Sequence, residues 1–163
     1  MIRRRVVMKR SMKATGHFLA ATALLLSACG KTATTGSEHT TTAVTELPLT
    51  RGFYVSTDTA CGDASNATLL LMRRDGFNGA RDGCDFETIE QTGPQSYRVI
   101  ERCADFQAGP DSATTETVIW QIPDDASFTS NGDRGWERSF RHCEQSSLPD
   151  PWRDNDISDL VSE

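Results

Sequence analysis

The residues best suited to chemistry in this 163-residue chain are its five cysteines. Four of them, Cys61, Cys84, Cys103 and Cys143, are separated by 23, 19 and 40 residues. These spacings contain neither the Cys-x-x-Cys pair nor the nearby pair of histidines that is typical of a zinc site. An even number of cysteines in a small domain is typical of disulfide bonds. We therefore expect two disulfides, no metal site and no cofactor.

A nucleophilic site is the second interpretation, because His142 adjoins Cys143. A histidine can activate a free thiol beside it. Consecutive residues of a strand point to opposite faces, however, and oxidation of Cys143 would remove the thiol. The other histidines, His17 and His39, precede the part of the chain that we expect to fold. We therefore predict no catalytic residues.

The remaining chemical groups form no recognisable constellation. Residues 75–83 (DGFNGARDG) are rich in Asp, Asn and Gly, as calcium loops are. Counting from Asp75 or from Asp82 places non-ligating residues where an EF-hand loop needs oxygen ligands, so we interpret this segment as two linked turns. Lys31 is the last lysine of the chain, which excludes lysine nucleophiles from the folded part.

Four aromatic residues and three arginines lie close together in sequence within residues 120–141. In a small domain, aromatic residues near strands are expected to form the core, although a ligand groove is the alternative. We expect the arginines to be salt-bridge partners, with an anionic ligand site as the alternative. The aromatic residues are Trp120, Phe128, Trp136 and Phe140, and the arginines are Arg134, Arg138 and Arg141.

The N-terminus has the segments of a secretory signal in the required order. Six basic residues and no acidic residue occur in positions 1–28. Residues 18–26 (FLAATALLL) form a short apolar segment, about half of the roughly 20 residues that a membrane-spanning helix needs. We therefore predict that residues 1–28 are a signal peptide that is removed.

The end of this segment, Leu26-Ser27-Ala28-Cys29, resembles the lipobox of the bacterial lipoprotein class. The resemblance covers the N-terminus alone, and the alternative is an ordinary signal peptide with an incidental cysteine. It implies cleavage before Cys29, diacylglycerol on its sulfur and acylation of the new amine, which would anchor the protein to a membrane. The implied location is the bacterial cell envelope, with the domain in the periplasm or at the cell surface. Gly30 in place of Asp favours the outer membrane over the inner.

Removal of the signal peptide changes the charge of the protein. The chain has 17 basic and 23 acidic residues and a net charge of −6. Six basic residues leave with the signal, so the remaining 135 residues carry a net charge of −12. This charge argues against nucleic acid as a partner. It is compatible with a cationic protein partner, or with solubility alone.

We divide the mature chain into a Thr-rich tether at residues 29–48, a disulfide-bonded domain at 49–148 and an acidic tail at 149–163. The tether has few large apolar residues, and the tail has two prolines and five acidic residues, so we expect both to be mostly disordered. The alternative for part of the tail is one amphipathic turn formed by Ile157, Leu160 and Val161. Turn signals about every ten residues and the absence of a long helical pattern predict a small antiparallel β-sandwich or barrel, mostly β and stapled by two disulfides. The predicted strands are residues 52–56, 67–73, 85–91, 96–102, 115–121, 127–129 and 136–143.

The clearest local element is a hairpin between the two central cysteines, with Gly93-Pro94 at its turn. We favour the pairing Cys61–Cys84 with Cys103–Cys143, because directly opposed cysteines in one hairpin would be strained. An ion pair between Asp85 and Arg102 is expected across the hairpin. Residues whose numbers sum to 187 face each other: Cys84 and Cys103, Asp85 and Arg102, Thr88 and Val99, Glu90 and Tyr97.

These observations predict a non-catalytic, lipid-anchored cell-envelope lipoprotein with a small binding or structural β domain. The alternative is a tethered protein inhibitor of a cationic enzyme such as lysozyme. Lysozyme inhibitors also occur as small, disulfide-bonded, lipid-anchored β domains. The similarity is one of size, location and charge.

Overall fold

The computed structural model describes residues 41–162, which contain nine antiparallel strands. The predicted signal peptide, Cys29 and the first part of the tether lie outside these residues. Within them, no helix has the length and apolar character needed to cross a membrane. The strands are β1 (Thr42–Val44), β2 (Gly52–Ser56), β3 (Leu69–Met72), β4 (Gly76–Asn78), β5 (Asp82–Gly93), β6 (Ser96–Asp105), β7 (Thr114–Asp124), β8 (Ser127–Gly132) and β9 (Glu137–His142).

Eight of these strands close into an antiparallel barrel in the order β5-β4-β3-β2-β9-β8-β7-β6, with β6 pairing back onto β5. β5 is long enough to pair with β6 along its length, with β4 near its start and with β1 near its end. The prediction of a small, mostly β, antiparallel barrel with two disulfides is confirmed. β4 was missed, because we interpreted its three residues as part of the turns at 75–83.

The barrel interior is filled by the inward-facing side chains of the strands. Alternation along each strand sends every second side chain inward. The aromatic residues Trp120, Phe128 and Phe140 belong to this core, as expected, and Trp136 packs against it while partly exposed. Trp120 and Phe128 lie with ring centroids 4.4 Å apart.

One end of the barrel is covered by the segment that joins β1 to β2. Leu47 is buried in the core there, and the Thr50 backbone N–H donates to the Asp125 carbonyl at 2.7 Å. The Tyr54 hydroxyl donates to the carbonyls of Thr50 and Asp125 at 2.9 and 3.1 Å. Residues 42–47 therefore belong to the folded unit, which begins earlier than the predicted boundary at residue 49.

The C-terminal tail differs from the expected disorder. It contains a 3-10 turn at Trp152–Asp154 and a one-turn helix, α1 (Ser158–Val161), and a further 3-10 turn at Gln145–Ser147 precedes it. Its apolar side chains pack with Leu148 on the outer faces of β2 and β3. Both faces of β2 are apolar, so the outer face needs a cover, and the tail supplies it. The tail side chains in this second core are Trp152, Ile157 and Val161.

The disulfides join Cys61 to Cys143 and Cys84 to Cys103, so the favoured pairing was wrong. Cys84 and Cys103 face each other across the β5–β6 hairpin with Cα atoms 4.0 Å apart, and this opposed position is the one that bonds. Cys143 follows β9, which pairs with β2, and Cys61 follows β2 after a short loop. Long-range strand pairing therefore selects the Cys61–Cys143 bond.

The hairpin register agrees with the prediction from Cys84 to Phe86 and then shifts by one residue. A bulge at Glu87 makes Thr88 face Ile100, and a second irregularity lies at Thr92. The predicted facing pairs Thr88 with Val99 and Glu90 with Tyr97 are therefore wrong, since an extra residue on one strand displaces all later pairs.

The predicted ion pair across the hairpin is also wrong. Asp85 faces Arg102 in the register, but the Asp85 carboxylate binds the Arg73 guanidinium at 2.8 Å. The pair that forms across the hairpin is Arg98 with Glu90, at 2.9 Å.

Candidate functional site: the barrel mouth

The barrel end opposite Leu47 carries two cavities of about 630 and 310 Å³. Asp82 and Arg138 line both of them. An eight-stranded barrel can hold one small ligand, and the mouths of barrels are frequent ligand sites. We call this end the barrel mouth and define it by Phe77, Asp82, Glu101, Glu116, Trp136 and Arg138.

Glu101 is a carboxylate at the base of the mouth with an exposed fraction of 2%. It points inward from β6, on the same face as Tyr97 and Val99. Its Oε1 accepts a hydrogen bond from the indole Nε1 of Trp120 at 2.7 Å, and no donor among residues 41–162 reaches its Oε2. One carboxylate oxygen of a buried acid is therefore available to a group that enters the mouth.

Burial raises the pKa of Glu101 to about 7, while the Trp120 hydrogen bond and the charge of Arg138 lower it. The nearby carboxylates of Glu116 on β7 and Asp82 on β5 raise it further. Glu101 therefore changes its charge near neutral pH.

Trp136 forms an aromatic wall of the mouth, and two glycines before it determine its position. Gly135 has a φ of 82°, a left-handed conformation that favours glycine and closes the turn after β8. Gly132 lies under the indole ring, where a Cβ atom would clash with it. The Trp136 Nε1 donates to the Glu116 carboxylate at 3.0 Å, which fixes the ring orientation.

Arg138 points inward from β9, and its guanidinium carbon lies 4.3 Å from the centre of the Trp136 ring. The same carbon lies 6.0 Å from the centre of the Phe77 ring. Within the described residues, the Arg138 side chain makes neither an ion pair nor a hydrogen bond. It is exposed to solvent, so its position depends mainly on the aromatic contacts.

The three arginines of the predicted basic stretch do not form one site. Arg141 donates to the backbone carbonyls of Thr57 and Thr59 at 3.1 and 2.6 Å, which fastens that loop to β9. Arg134 is exposed in the turn between β8 and β9. The expected salt bridges of Arg134, Arg138 and Arg141 are absent from the described residues.

The Cys84–Cys103 disulfide lies beside Glu101 and lines the smaller cavity. The two sulfur atoms and a Glu101 carboxylate oxygen lie within 4.8 Å of one another. Since the sulfur atoms are bonded to each other, they do not act as thiolate ligands in this state. The disulfide instead holds β5 against β6 where Glu101 enters the interior.

His142 lies towards the covered end of the barrel and does not reach the mouth. Its ring contacts Tyr54 edge-on at 5.4 Å, and the neighbouring Cys143 is bonded to Cys61. The structure therefore does not bring His142 together with a free thiol among the described residues.

Sequence reasoning missed Glu101 as a site residue, although a signal for it was present. Tyr97, Val99, Glu101 and Cys103 alternate along one strand, so the carboxylate shares the inward face of its apolar neighbours. Comparison of the chain with known protein families, with curated proteins and with solved structures finds no match.

Proposed function

We propose that the protein is a lipid-anchored lipoprotein of the bacterial cell envelope and that its barrel is a non-catalytic module that binds a ligand at the barrel mouth. The observation that carries the binding role is the pair of adjoining cavities at the mouth, which share Asp82 and Arg138 and of which the smaller is lined by Glu101. The anchor rests on the sequence Leu26-Ser27-Ala28-Cys29.

The side chains around the mouth favour binding over catalysis. Acid–base catalysis commonly pairs two groups with separated pKa values, or a nucleophile with a base. The mouth offers one carboxylate with a raised pKa, Glu101, beside a disulfide and aromatic rings. Aromatic walls with a few polar groups are typical of ligand pockets.

The anchor is tested by replacing Cys29 with Ala in the full chain and separating soluble from membrane fractions. We expect the wild-type protein in the membrane fraction, labelled by a clickable palmitate analogue, and the variant unlabelled and soluble. Thr34→Ala, a substitution in the tether that leaves the lipobox and all the cysteines intact, is the control. A variant that stays with the membrane contradicts the lipid anchor.

The binding role is tested by placing a photoreactive amino acid at Thr57, an exposed residue that lines the larger cavity. Thr117, exposed on the outer face of β7, is the matched control position. We expect illumination of intact cells to give adducts from position 57 and few from position 117. Equal yields at the two positions, or none at either, contradict a ligand site at the barrel mouth.

A further inference from the structure

The barrel mouth has the parts of a cation-binding cage. A cation is attracted to the faces of aromatic rings within about 6 Å, most strongly where water is excluded. Trp136 and Phe77 supply such rings, and Glu101 supplies a buried carboxylate with a free oxygen. The cage already holds a cation, the guanidinium of Arg138.

The charges around the cage favour a cation over an anion. Carboxylates at the mouth come from Asp82, Glu101 and Glu116, and Glu137 lines the larger cavity. Arg81 also lines that cavity, but its guanidinium pairs with Asp105 at 2.9 Å. Arg138 is therefore the one cation of the described cavity walls that has no carboxylate partner.

Arg138 can leave the cage without breaking an ion pair or a hydrogen bond with another described residue. If Arg138 recognised an anion, we would expect its guanidinium N–H groups to point into the cavity, with no carboxylates nearby to compete with the anion. Here the guanidinium carbon lies 4.3 Å from the centre of the Trp136 ring, and the carboxylates of Glu101, Glu116 and Asp82 lie nearby. The Arg138 guanidinium thus occupies the position that a cationic group of a ligand would take.

We infer that the barrel mouth binds an alkylammonium or guanidinium group, and that this group replaces the Arg138 side chain against the rings of Trp136 and Phe77. The inference rests on the proposed function and adds the chemical class of the ligand. The same cation could belong to a free amine or to an Arg or Lys side chain of a basic protein.

The test is titration of the mature chain with two probes at pH 8 and low salt. Binding is measured by tryptophan fluorescence and by calorimetry. Cys29→Ser in all samples prevents lipidation. Agmatine represents a free cation, and a tri-arginine peptide represents a protein side chain. The variants are Arg138→Met, which keeps the aliphatic stem, Arg138→Ala, and Arg134→Ala as the control with the same charge change outside the mouth.

Removing the internal competitor should tighten binding of at least one probe by about 3- to 30-fold in both Arg138 variants, the range expected for one cation–π contact. Arg134→Ala should bind as the wild type does, and Glu101→Gln should bind at least about fivefold more weakly. Binding of agmatine identifies a free cation as sufficient, and binding of the peptide alone identifies a protein side chain.

Unchanged or weaker binding in both Arg138 variants, or no binding of either probe at millimolar concentration, overturns the inference. Near-ultraviolet circular dichroism of each variant establishes that the barrel is folded. If neither probe binds but photoreactive position 57 still gives more adducts than position 117, the inferred ligand class is wrong and the proposed binding role stands. Failure of both experiments overturns the proposed function as well.

Discussion

Replacing Glu101 with Gln should make the protein more stable at high pH and leave its stability at low pH nearly unchanged. The pKa of Glu101 is raised to about 7 in the folded protein, against an ordinary value of 4.5 for a glutamate in the unfolded chain. Below pH 4.5 the carboxyl is protonated in both the folded and the unfolded states, so its burial has no ionisation cost. Between pH 4.5 and 7 only the unfolded state releases the proton, and stability falls as pH rises.

The expected size of this effect follows from the difference of about 2.5 pH units between the two pKa values. At about 1.4 kcal/mol per unit, ionised Glu101 lowers the free energy of unfolding by about 3 kcal/mol at pH 8. Glutamine has no ionisation cost, and its side-chain oxygen can still accept the Trp120 hydrogen bond. The advantage of Glu101→Gln over the wild type should therefore grow from near zero at pH 4 to about 3 kcal/mol at pH 8.

The assay is urea unfolding of the mature chain with Cys29→Ser, measured at pH 4 and pH 8 by tryptophan fluorescence. Glu87→Gln, which removes the same charge from an exposed position on β5, is the control and should show less than about 0.5 kcal/mol of change. A difference of under about 0.5 kcal/mol between the two pH values for Glu101→Gln would refute the argument that burial raises this pKa.

Two further predictions concern what holds the barrel together, and urea unfolding measures both. Trp152→Ala should lower the free energy of unfolding by about 2 kcal/mol, because the half-buried indole covers the outer face of β2 and β3. Leu160→Ala, at a residue that is 43% exposed, should have little effect, and equal losses would contradict this role for the tail. Replacing both cysteines of the Cys61–Cys143 bond by Ala should lower the free energy of unfolding by about 4.5 kcal/mol, and the same change at Cys84–Cys103 should lower it by about 3 kcal/mol. Loss of the first bond costs more because it joins residues 82 apart in the sequence, whereas the second joins residues 19 apart. The reverse order would contradict the loop-entropy argument.

Seven of the nine described strands could be predicted because their signals are local, whereas β1 and β4, of three residues each, were missed. β2 was predicted at its observed bounds, since a short apolar segment lies between Gly52 and polar residues. The bulge at Glu87 could not be predicted, because one extra residue in a strand has no distinctive composition. The predicted hairpin register placed Cys84 opposite Cys103, but we expected opposed cysteines to be strained and therefore favoured the wrong pairing.

The tail and the barrel mouth depend on contacts between distant parts of the chain. The acidic composition of residues 149–163 is typical of disorder, and the apolar side chains of Trp152, Ile157 and Val161 gain their burial only from the outer face of β2 and β3. Likewise, Arg138 meets Phe77 only because β9 and β4 lie on the same closed barrel. Such contacts have no signature in a single sequence.

The pairing of β1 determines how the barrel would be presented on a membrane. Thr42 lies opposite Gln91, near the tip of the β5–β6 hairpin, and the following segment crosses the covered end. The chain therefore joins the barrel on the side away from the mouth. With Cys29 lipidated as proposed, the twelve intervening residues reach at most about 40 Å. The shortest attachment would put the mouth on the far side of the barrel from the bilayer, so that the site would sample molecules in the aqueous space rather than lipids of its own membrane.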